Sequence, residues 1–232
     1  MNEKLIDHLS QFITDRRLQL FNTLLEQRTR YITVVLEDLF QSHNASAVLR
    51  SCECFGIQDV HIIENQNEYR ISPDVALGSY KWLTLHRYNQ DADNTETSIR
   101  SLKDKGYRIA ATTPHKHDCT IDEFDLTKGK VALLFGSELN GLSPLALQLA
   151  DEFVKIPMVG FTESLNISVT AAIFIHQLTV KLRKDPFIPW HLSDEEKLQI
   201  KLTWLKNSIR KSDLIEKAFA DDQNISKMND GI

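Results

Sequence analysis

Three segments combine glycine with polar side chains in a pattern that suits ligand binding. They are HNASAVLRSCECFG (43–56), FGSELNGLS (135–143) and IPMVGFTESLNISVTAA (156–172). Loops of this kind offer free backbone N–H and C=O groups, which can hold an adenine edge or a methionine moiety without charged side chains. An arginine beside such a loop, such as Arg50, can hold a phosphate or act on a hydroxyl group. On their own, these features predict a polar ligand site.

The motifs of several common enzyme classes are missing from the sequence. It contains no G-x-G-x-x-G dinucleotide loop and no G-x-x-x-x-G-K-[ST] phosphate loop, which disfavours nicotinamide and nucleoside triphosphate chemistry. It also contains no H-E-x-x-H motif, no cysteine cluster and no G-x-S-x-G elbow. We therefore expect neither a metal site nor a hydrolase.

Apolar periodicity predicts the elements that carry these segments. Apolar and β-branched runs predict strands at 32–38, 59–63, 82–87, 107–112, 130–136 and 152–157. Spacings of three and four predict helices at 3–29, 45–55, 95–105, 143–150 and 166–183, with two more within 192–219. This alternation predicts an α/β fold with a mostly parallel sheet covered by helices on both faces. Ligands bind at the carboxyl ends of such strands, which is where the three segments lie.

Length and composition fit a globular core with helical additions. The chain has 232 residues, of which 42% are hydrophobic and 25% charged, and this argues against extended disorder. No apolar run is long enough for a membrane span and the start lacks a signal-peptide core, so we expect a cytoplasmic protein without a membrane partner. The net charge of −5 does not exclude nucleic acid, because basic residues cluster near both ends.

The three segments, in this order, resemble the signature motifs of the SPOUT class of RNA methyltransferases, in its SpoU/TrmH branch. The correspondences are N-x(5)-R-x(5)-G at Asn44, Arg50 and Gly56, F-G-x-E-x-x-G-[LV]-S at 135–143, and I-P-M-x-G-x(3)-S-L-N-x-S at the start of 156–171. The similarity extends over about 32–183. A match to all three motifs is a highly specific signal.

The resemblance implies a fold that periodicity does not predict. It implies a deep trefoil knot at the C-terminal end of the sheet domain, and a homodimer whose RNA site takes residues from both subunits. The implied organisation is an N-terminal helical extension (1–30), a catalytic domain (31–184) and a C-terminal helical extension (185–232). General topology rules make knots very rare, so this expectation depends on the family alone.

The resemblance also implies roles for individual side chains. Arg50 corresponds to the family's catalytic arginine, which activates or orients a ribose 2′-hydroxyl, and the path of the proton stays open. Asn44 corresponds to a residue that orders the arginine or the ribose, although a helix N-cap is an alternative. Glu138 corresponds to an acid that orients Arg50 or the RNA, or is a surface carboxylate. Asn166 and Ser168 correspond to residues that contact the ribose or the cofactor, or cap a helix.

The implied methyl donor is S-adenosylmethionine, held mainly by backbone groups. The positions that correspond to its binding site are Thr112, Gly136, Ile156, Met158 and Leu165. Two departures from the branch lie nearby: FTES (161–164) replaces the more usual MVQS, and Thr170 stands where alanine is common. These departures affect the rim of the predicted pocket.

The ends of the chain bear on the substrate. A short basic N-terminal segment and a basic C-terminal helical pair most resemble members of the branch that methylate guanosine 18 of tRNA. Clustered Lys and Arg side chains supply most of the affinity for RNA, or else form a solvated helix face. The candidates are Arg16, Arg17, Arg28, Arg30, Lys206, Arg210 and Lys211. The alternatives are a related enzyme for ribosomal RNA or another tRNA position, and a non-catalytic RNA-binding protein.

Overall fold

The computed structural model describes residues 2–91, 93–113 and 119–229 and divides into two compact units. The larger unit is Thr29–Trp190. The smaller unit combines the two ends of the chain, Met1–Arg28 and His191–Ile232. Within the described ranges, no helix has the length and apolar character needed to cross a membrane.

The larger unit is built on a seven-stranded sheet in which every pairing is parallel. Its strands are β1 (Ile32–Glu37), β2 (Asp59–Ile63), β3 (Thr84–Tyr88), β4 (Arg108–Thr112), β5 (Cys119–Thr120), β6 (Val131–Phe135) and β7 (Glu152–Lys155). Their order across the sheet is β3-β2-β1-β6-β4-β7-β5. The central strands β1 and β6 are buried along their whole length, as parallel strands covered on both faces must be.

Helices cover both faces of this sheet, as predicted. The helices of the larger unit are α3 (Ser42–Cys54), α4 (Pro73–Ala76), α5 (Thr95–Asp104), α6 (Pro144–Leu149) and α7 (Ile167–Lys184). Val34 packs in a core cluster with residues of α3 and α7, whereas its neighbour Val35 packs in a second cluster with residues of α5 and α6. Successive strand residues point to opposite faces, so each face has its own apolar core. The predicted α/β fold with a parallel sheet is confirmed.

The described part of the smaller unit has four helices, which are joined by aromatic contacts between the two ends of the chain. They are α1 (Asn2–Ser10), α2 (Asp15–Leu25), α8 (Asp194–Ser208) and α9 (Ser212–Asn229). The rings of Phe21 and Trp204 meet edge to face at 5.4 Å, and the Arg28 guanidinium lies 5.6 Å from the Trp204 ring centre. His8 of α1 stacks on Phe219 of α9 at 4.7 Å. These contacts join the N-terminal and C-terminal helices of the chain in one unit.

Some predicted boundaries differ from the structure. The helix predicted at 3–29 is two helices: α1 ends at Ser10, and α2 begins after Thr14, which caps it by accepting a hydrogen bond from Arg17 N at 3.3 Å. The helix predicted at 45–55 begins at Ser42, with Gln41 at its N-cap. The short elements α4 and β5 were not predicted. Their four and two residues are too short to show a period.

A buried histidine lies in a polar cluster on β2 and β3. His61 stacks on His86 at 4.4 Å, and its Nδ1 lies 3.0 Å from the Tyr88 hydroxyl. Asp59 lies 3.0 Å from Arg30 Nε and 3.8 Å from His86 Nε2. Burial and the neighbouring His86 lower the pKa of His61 from 6.5 to about 3. His61 therefore stays neutral in the folded chain over most of the acidic range.

This shifted pKa predicts an acid-sensitive stability. In the unfolded chain His61 is protonated below about pH 6.5, whereas in the folded chain it stays neutral down to about pH 3. The unfolded state therefore gains a proton first, and the free energy of unfolding falls as the pH is lowered from about 6.5 to about 3. Urea unfolding measures the free energy of unfolding at about pH 7 and about pH 5. Between these two values, we expect it to fall by about 2 kcal/mol less in His61→Gln than in the unmodified chain. Exposed His43→Gln is the control and should behave like the unmodified chain. Equal losses in all three proteins would contradict the prediction.

Candidate active site

The first motif lies on α3, directly after the carboxyl end of β1. Asn44 is in the first turn of the helix, and its relative exposure is only 3%. Arg50 lies farther along the same helix with an exposed side chain. Within the described parts of the chain, no residue forms an ion pair or hydrogen bond with its guanidinium. The arginine is therefore free to meet an external group.

Glu138 of the second motif holds the start of α3. Its carboxylate accepts hydrogen bonds from Asn44 Nδ2 at 2.8 Å, Phe40 N at 3.1 Å and Gln41 N at 3.3 Å. These bonds fix the backbone that leads into α3 and one side chain of its first turn. Partial burial acts to raise the pKa of Glu138, but the hydrogen bonds from Asn44 and the backbone outweigh it and hold the pKa below its usual value. Glu138 is thus a charged anchor for the helix that carries Arg50.

Asn166 of the third motif completes a hydrogen-bond chain across all three motifs. Its Nδ2 donates to Asn44 Oδ1 at 3.2 Å. Its Oδ1 caps α7, accepting from Ser168 N at 2.8 Å and from Ser168 Oγ at 2.6 Å. The chain thus runs from Glu138 through Asn44 and Asn166 to Ser168. The capping alternative describes Asn166 and Ser168 well, whereas Asn44 lies inside α3 and does not cap it.

A buried carboxylate that the sequence did not single out supports the second motif. Glu37, at the end of β1, is 2% exposed and accepts hydrogen bonds from Ser143 N at 2.8 Å and Ser143 Oγ at 2.7 Å. It also accepts from Thr95 Oγ1 at 2.7 Å. Ser143 caps α6 in turn. The sequence feature that could have identified Glu37 is an acidic residue at the end of an apolar strand.

Gly136 begins a tight turn that shapes the site. Ser137 and Gly141 exchange backbone hydrogen bonds of 2.9 Å in both directions, and Gly141 has a φ of +67°. A Cβ on Gly136 would lie 2.1 Å from the carbonyl carbon of Gly141, which is closer than atoms can pack. Only glycine fits at this position, and the turn leaves its backbone facing a cleft.

The ends of β4 and β6 border a cleft of about 350 Å³, which continues into a smaller pocket at the end of β7. Both cavities share Thr112, Thr113, Ser164, Leu165 and Thr170. All five positions predicted to bind the cofactor line one or both cavities: Thr112, Gly136, Ile156, Met158 and Leu165. Among the described residues, no group of three histidine, cysteine, aspartate or glutamate side chains could hold a metal ion.

The family comparison agrees with this geometry. The model of the SpoU rRNA Methylase family matches residues 31–176, which include all three motifs. This chain belongs to the SpoU rRNA methylase family. It is 42% identical over 213 residues to a tRNA (guanosine(18)-2′-O)-methyltransferase of Borreliella burgdorferi, an alignment covering 92% of this chain and 95% of the relative.

Solved structures of SpoU proteins share the fold. The A. aeolicus TrmH/SpoU tRNA modifying enzyme aligns with a TM-score of 0.74 and 27% identity, over 85% of this chain and 98% of that one. The SpoU methyltransferase AviRb of Streptomyces viridochromogenes, in complex with AdoMet, aligns with a TM-score of 0.56 and 22% identity, over 66% of this chain and 58% of that one. The sheet and helices described above are therefore those of the SpoU fold.

The predicted RNA-binding residues lie in different environments. Arg16, Arg17, Arg210 and Lys211 have exposed side chains in the smaller unit. Arg28 is 3% exposed against Trp204, and Lys206 lies 2.6 Å from Glu216. Arg30, in the larger unit, pairs with Asp59. Clustering along the sequence did not reveal that Arg28, Arg30 and Lys206 have partners within the protein.

The turn at Gly136 generates a stability prediction. Gly136→Ala should lower the free energy of unfolding by about 1–3 kcal/mol, because the new Cβ overlaps the backbone of Gly141. Gly160→Ala is the matched control, since its Cβ would have no neighbour closer than 4.0 Å. Urea unfolding measures both. A Gly136→Ala protein as stable as the Gly160→Ala protein would show that the turn accommodates a side chain.

Proposed function

We propose that this chain methylates the ribose 2′-hydroxyl of guanosine 18 in tRNA, using S-adenosylmethionine as the methyl donor. The observation that carries the proposal is the hydrogen-bond chain that links all three motifs beside the cleft, whose wall comes from the second and third motifs. Among the described residues, Arg50 of the first motif has no partner. Family membership and the high identity to a relative named for this reaction support it.

The cleft suits the proposed donor. Gly136 and Gly141, which have no side chains, lie in its wall, so a ligand there can meet their backbone groups directly. Thr112, Ile156, Met158 and Leu165 would hold the donor together with Gly136, offering apolar side chains and backbone hydrogen-bonding groups. When bound, S-adenosylmethionine supplies a methyl group on a sulfonium sulfur, which an oxygen nucleophile can take.

Arg50 is the proposed catalytic residue. A guanidinium keeps its charge in proteins and has donors in a fixed fork, so it can orient the 2′-hydroxyl and stabilise negative charge that develops on the oxygen. Asn44, Glu138, Asn166 and Ser168 bond to one another in the structure. We propose that they act as positioning residues, which hold the helix of Arg50 against the start of α7. This arrangement costs no reorganisation when RNA arrives.

The proposal includes the knot and the assembly. We propose that the segment after β7 threads through the preceding loops as a deep trefoil knot. The proposal is supported by the segments after β4, β6 and β7, which converge on the two joined cavities. A second copy would cover the apolar outer face of α3 and α7, because open apolar faces mark interfaces. This face comprises Ala47, Phe55, Val169, Ala172, Ile173 and Val180.

Binding of tRNA is proposed to use the helical extensions. In this organisation 31–184 is the catalytic domain, and 1–30 and 185–232 bring basic side chains to the RNA phosphates. Arg16, Arg17, Arg210 and Lys211 have exposed side chains, and we propose that they make this contact. Because the substrate is tRNA, we place the reaction in the cytoplasm.

The central test is methylation of bulk tRNA with a labelled donor, followed by mapping of the labelled nucleotide. We expect label on the ribose of guanosine 18, and we expect Arg50→Ala to lower the rate by about a hundredfold or more. The Arg50→Ala protein should keep the dimer mass in sedimentation and the donor affinity in calorimetry. Arg70→Ala, an exposed arginine paired only with exposed Glu68 among the contacts described, is the control and should retain full activity.

Each other outcome of this experiment has a defined meaning. Label at another tRNA position, or only in ribosomal RNA, would make the chain a related enzyme of a different substrate. Donor binding and RNA binding without any label would indicate a non-catalytic RNA-binding protein. Normal turnover by Arg50→Ala would remove this arginine from the mechanism.

The exposed basic side chains of the smaller unit generate a second prediction. Replacing Arg210 and Lys211 with Gln should weaken tRNA binding and reduce the slope of log affinity against log salt by about two. Lys206→Gln is the control. Because the Lys206 ammonium is already paired with Glu216 at 2.6 Å, this substitution should change the slope less. Filter binding over a salt series measures both. An unchanged slope in the double variant would place the RNA elsewhere.

A further inference from the structure

The smaller of the two joined cavities is mostly apolar but has two charged residues in its wall. Its apolar part comes from Val154, Ile156, Met158, Leu165 and Phe174, and its neutral polar part from three threonines and Ser164. The charged residues are Lys155, the last residue of β7, and Glu163, in the loop that leads to α7. They have opposite charges and border the same space.

Neither charge is used inside the protein. Across the ranges that the structure describes, Lys155 and Glu163 form no ion pair or side-chain hydrogen bond. Several other charged side chains of the larger unit are paired: Arg87 with Glu64, Arg108 with Glu152 and Lys103 with Asp151. Lys155 and Glu163 are therefore available to a ligand in the cavity.

The proposed methyl donor carries the complementary charges at one end. Its amino-acid moiety has an α-carboxylate and an α-ammonium group, whereas its adenosine moiety is neutral and suits an apolar wall with backbone donors and acceptors. Charge-assisted hydrogen bonds to ionised groups are about twice as strong as neutral ones. A lysine and a glutamate together can thus recognise the zwitterionic end and discriminate it from adenosine alone.

We propose that Lys155 and Glu163 bind the amino-acid end of S-adenosylmethionine, Lys155 at its carboxylate and Glu163 at its ammonium group. This inference rests on the proposed function, because it names two residues that select the donor of the same site. The carboxylate at 163 belongs to the FTES segment, where the branch more usually has the amide of MVQS.

Calorimetry with four ligands tests the assignment. The ligands are S-adenosylmethionine, S-adenosylhomocysteine, decarboxylated S-adenosylmethionine, and 5′-methylthioadenosine, which lacks the amino-acid end. The variants are Lys155→Gln and Glu163→Gln, with Asp74→Asn as a control because Asp74 is an exposed acid outside the cavity wall. Circular dichroism and a dimer mass by sedimentation establish that each variant is folded.

Each variant has a distinct expected pattern. Both should bind S-adenosylmethionine and S-adenosylhomocysteine about 10- to 100-fold more weakly, since a hydrogen bond to a charged group contributes about 1.5–3 kcal/mol. Both should bind 5′-methylthioadenosine like the unmodified chain. Only Glu163→Gln should lose affinity for the decarboxylated donor, because that ligand keeps the amine and lacks the carboxylate. Asp74→Asn should leave all four affinities unchanged.

Other results would overturn the assignment in recognisable ways. Equal weakening of 5′-methylthioadenosine would mean that the residues contact adenosine. Weakening of S-adenosylmethionine but not S-adenosylhomocysteine by Glu163→Gln would mean that the carboxylate recognises the sulfonium charge. Unchanged affinities in both variants, with normal binding by the unmodified chain, would refute this inference alone. Failure of the unmodified chain to bind any donor would instead refute the proposed function.

Discussion

The hydrogen-bond chain through Asn44 is the constraint on which the site depends. Asn44 is almost fully buried, and a buried amide must have partners or cost about 1–3 kcal/mol for each unmet group. Its partners come from two distant segments: Glu138 is 94 residues away in sequence and Asn166 is 122 residues away. One side chain thus couples three loops, because displacement of any loop leaves a buried polar group unpaired.

The parallel sheet makes this coupling possible. β6 lies between β1 and β4, and β7 follows β4, so the carboxyl ends of strands that are remote in sequence open at one edge. The loops after them contribute an anchoring carboxylate, a glycine turn and a helix cap. Glu37 adds a second link, since it ties the end of β1 to the cap of α6 at Ser143. The apolar cores on the two faces hold the strands, and the polar links then set the loops.

The sequence predicted the fold class and the positions of the motifs more fully than the contacts between them. Strand and helix periods depend on burial, which composition and spacing reveal, and motif residues such as Glu138 stood out by their pattern. Glu138 was predicted to orient Arg50 or the RNA, but no local pattern indicated that its carboxylate bonds to Asn44 and to the backbone of 40 and 41. Likewise, nothing local indicated that Arg28 lies buried against Trp204, because that contact joins opposite ends of the chain.

A division between matched and unmatched polar groups explains how one set of loops can be both rigid and receptive. Glu138, Asn44 and Asn166 form hydrogen bonds with one another, and these bonds fix the positions of the loops. Arg50, Lys155 and Glu163 have no such partners among the described residues. Arg50 lies on α3, Lys155 ends β7, and Glu163 lies in the loop that leads to α7. A site organised in this way needs no internal bond to break before a ligand binds. The affinity of its free charges is therefore not reduced by competition from the protein itself, which is the physical advantage of preorganisation.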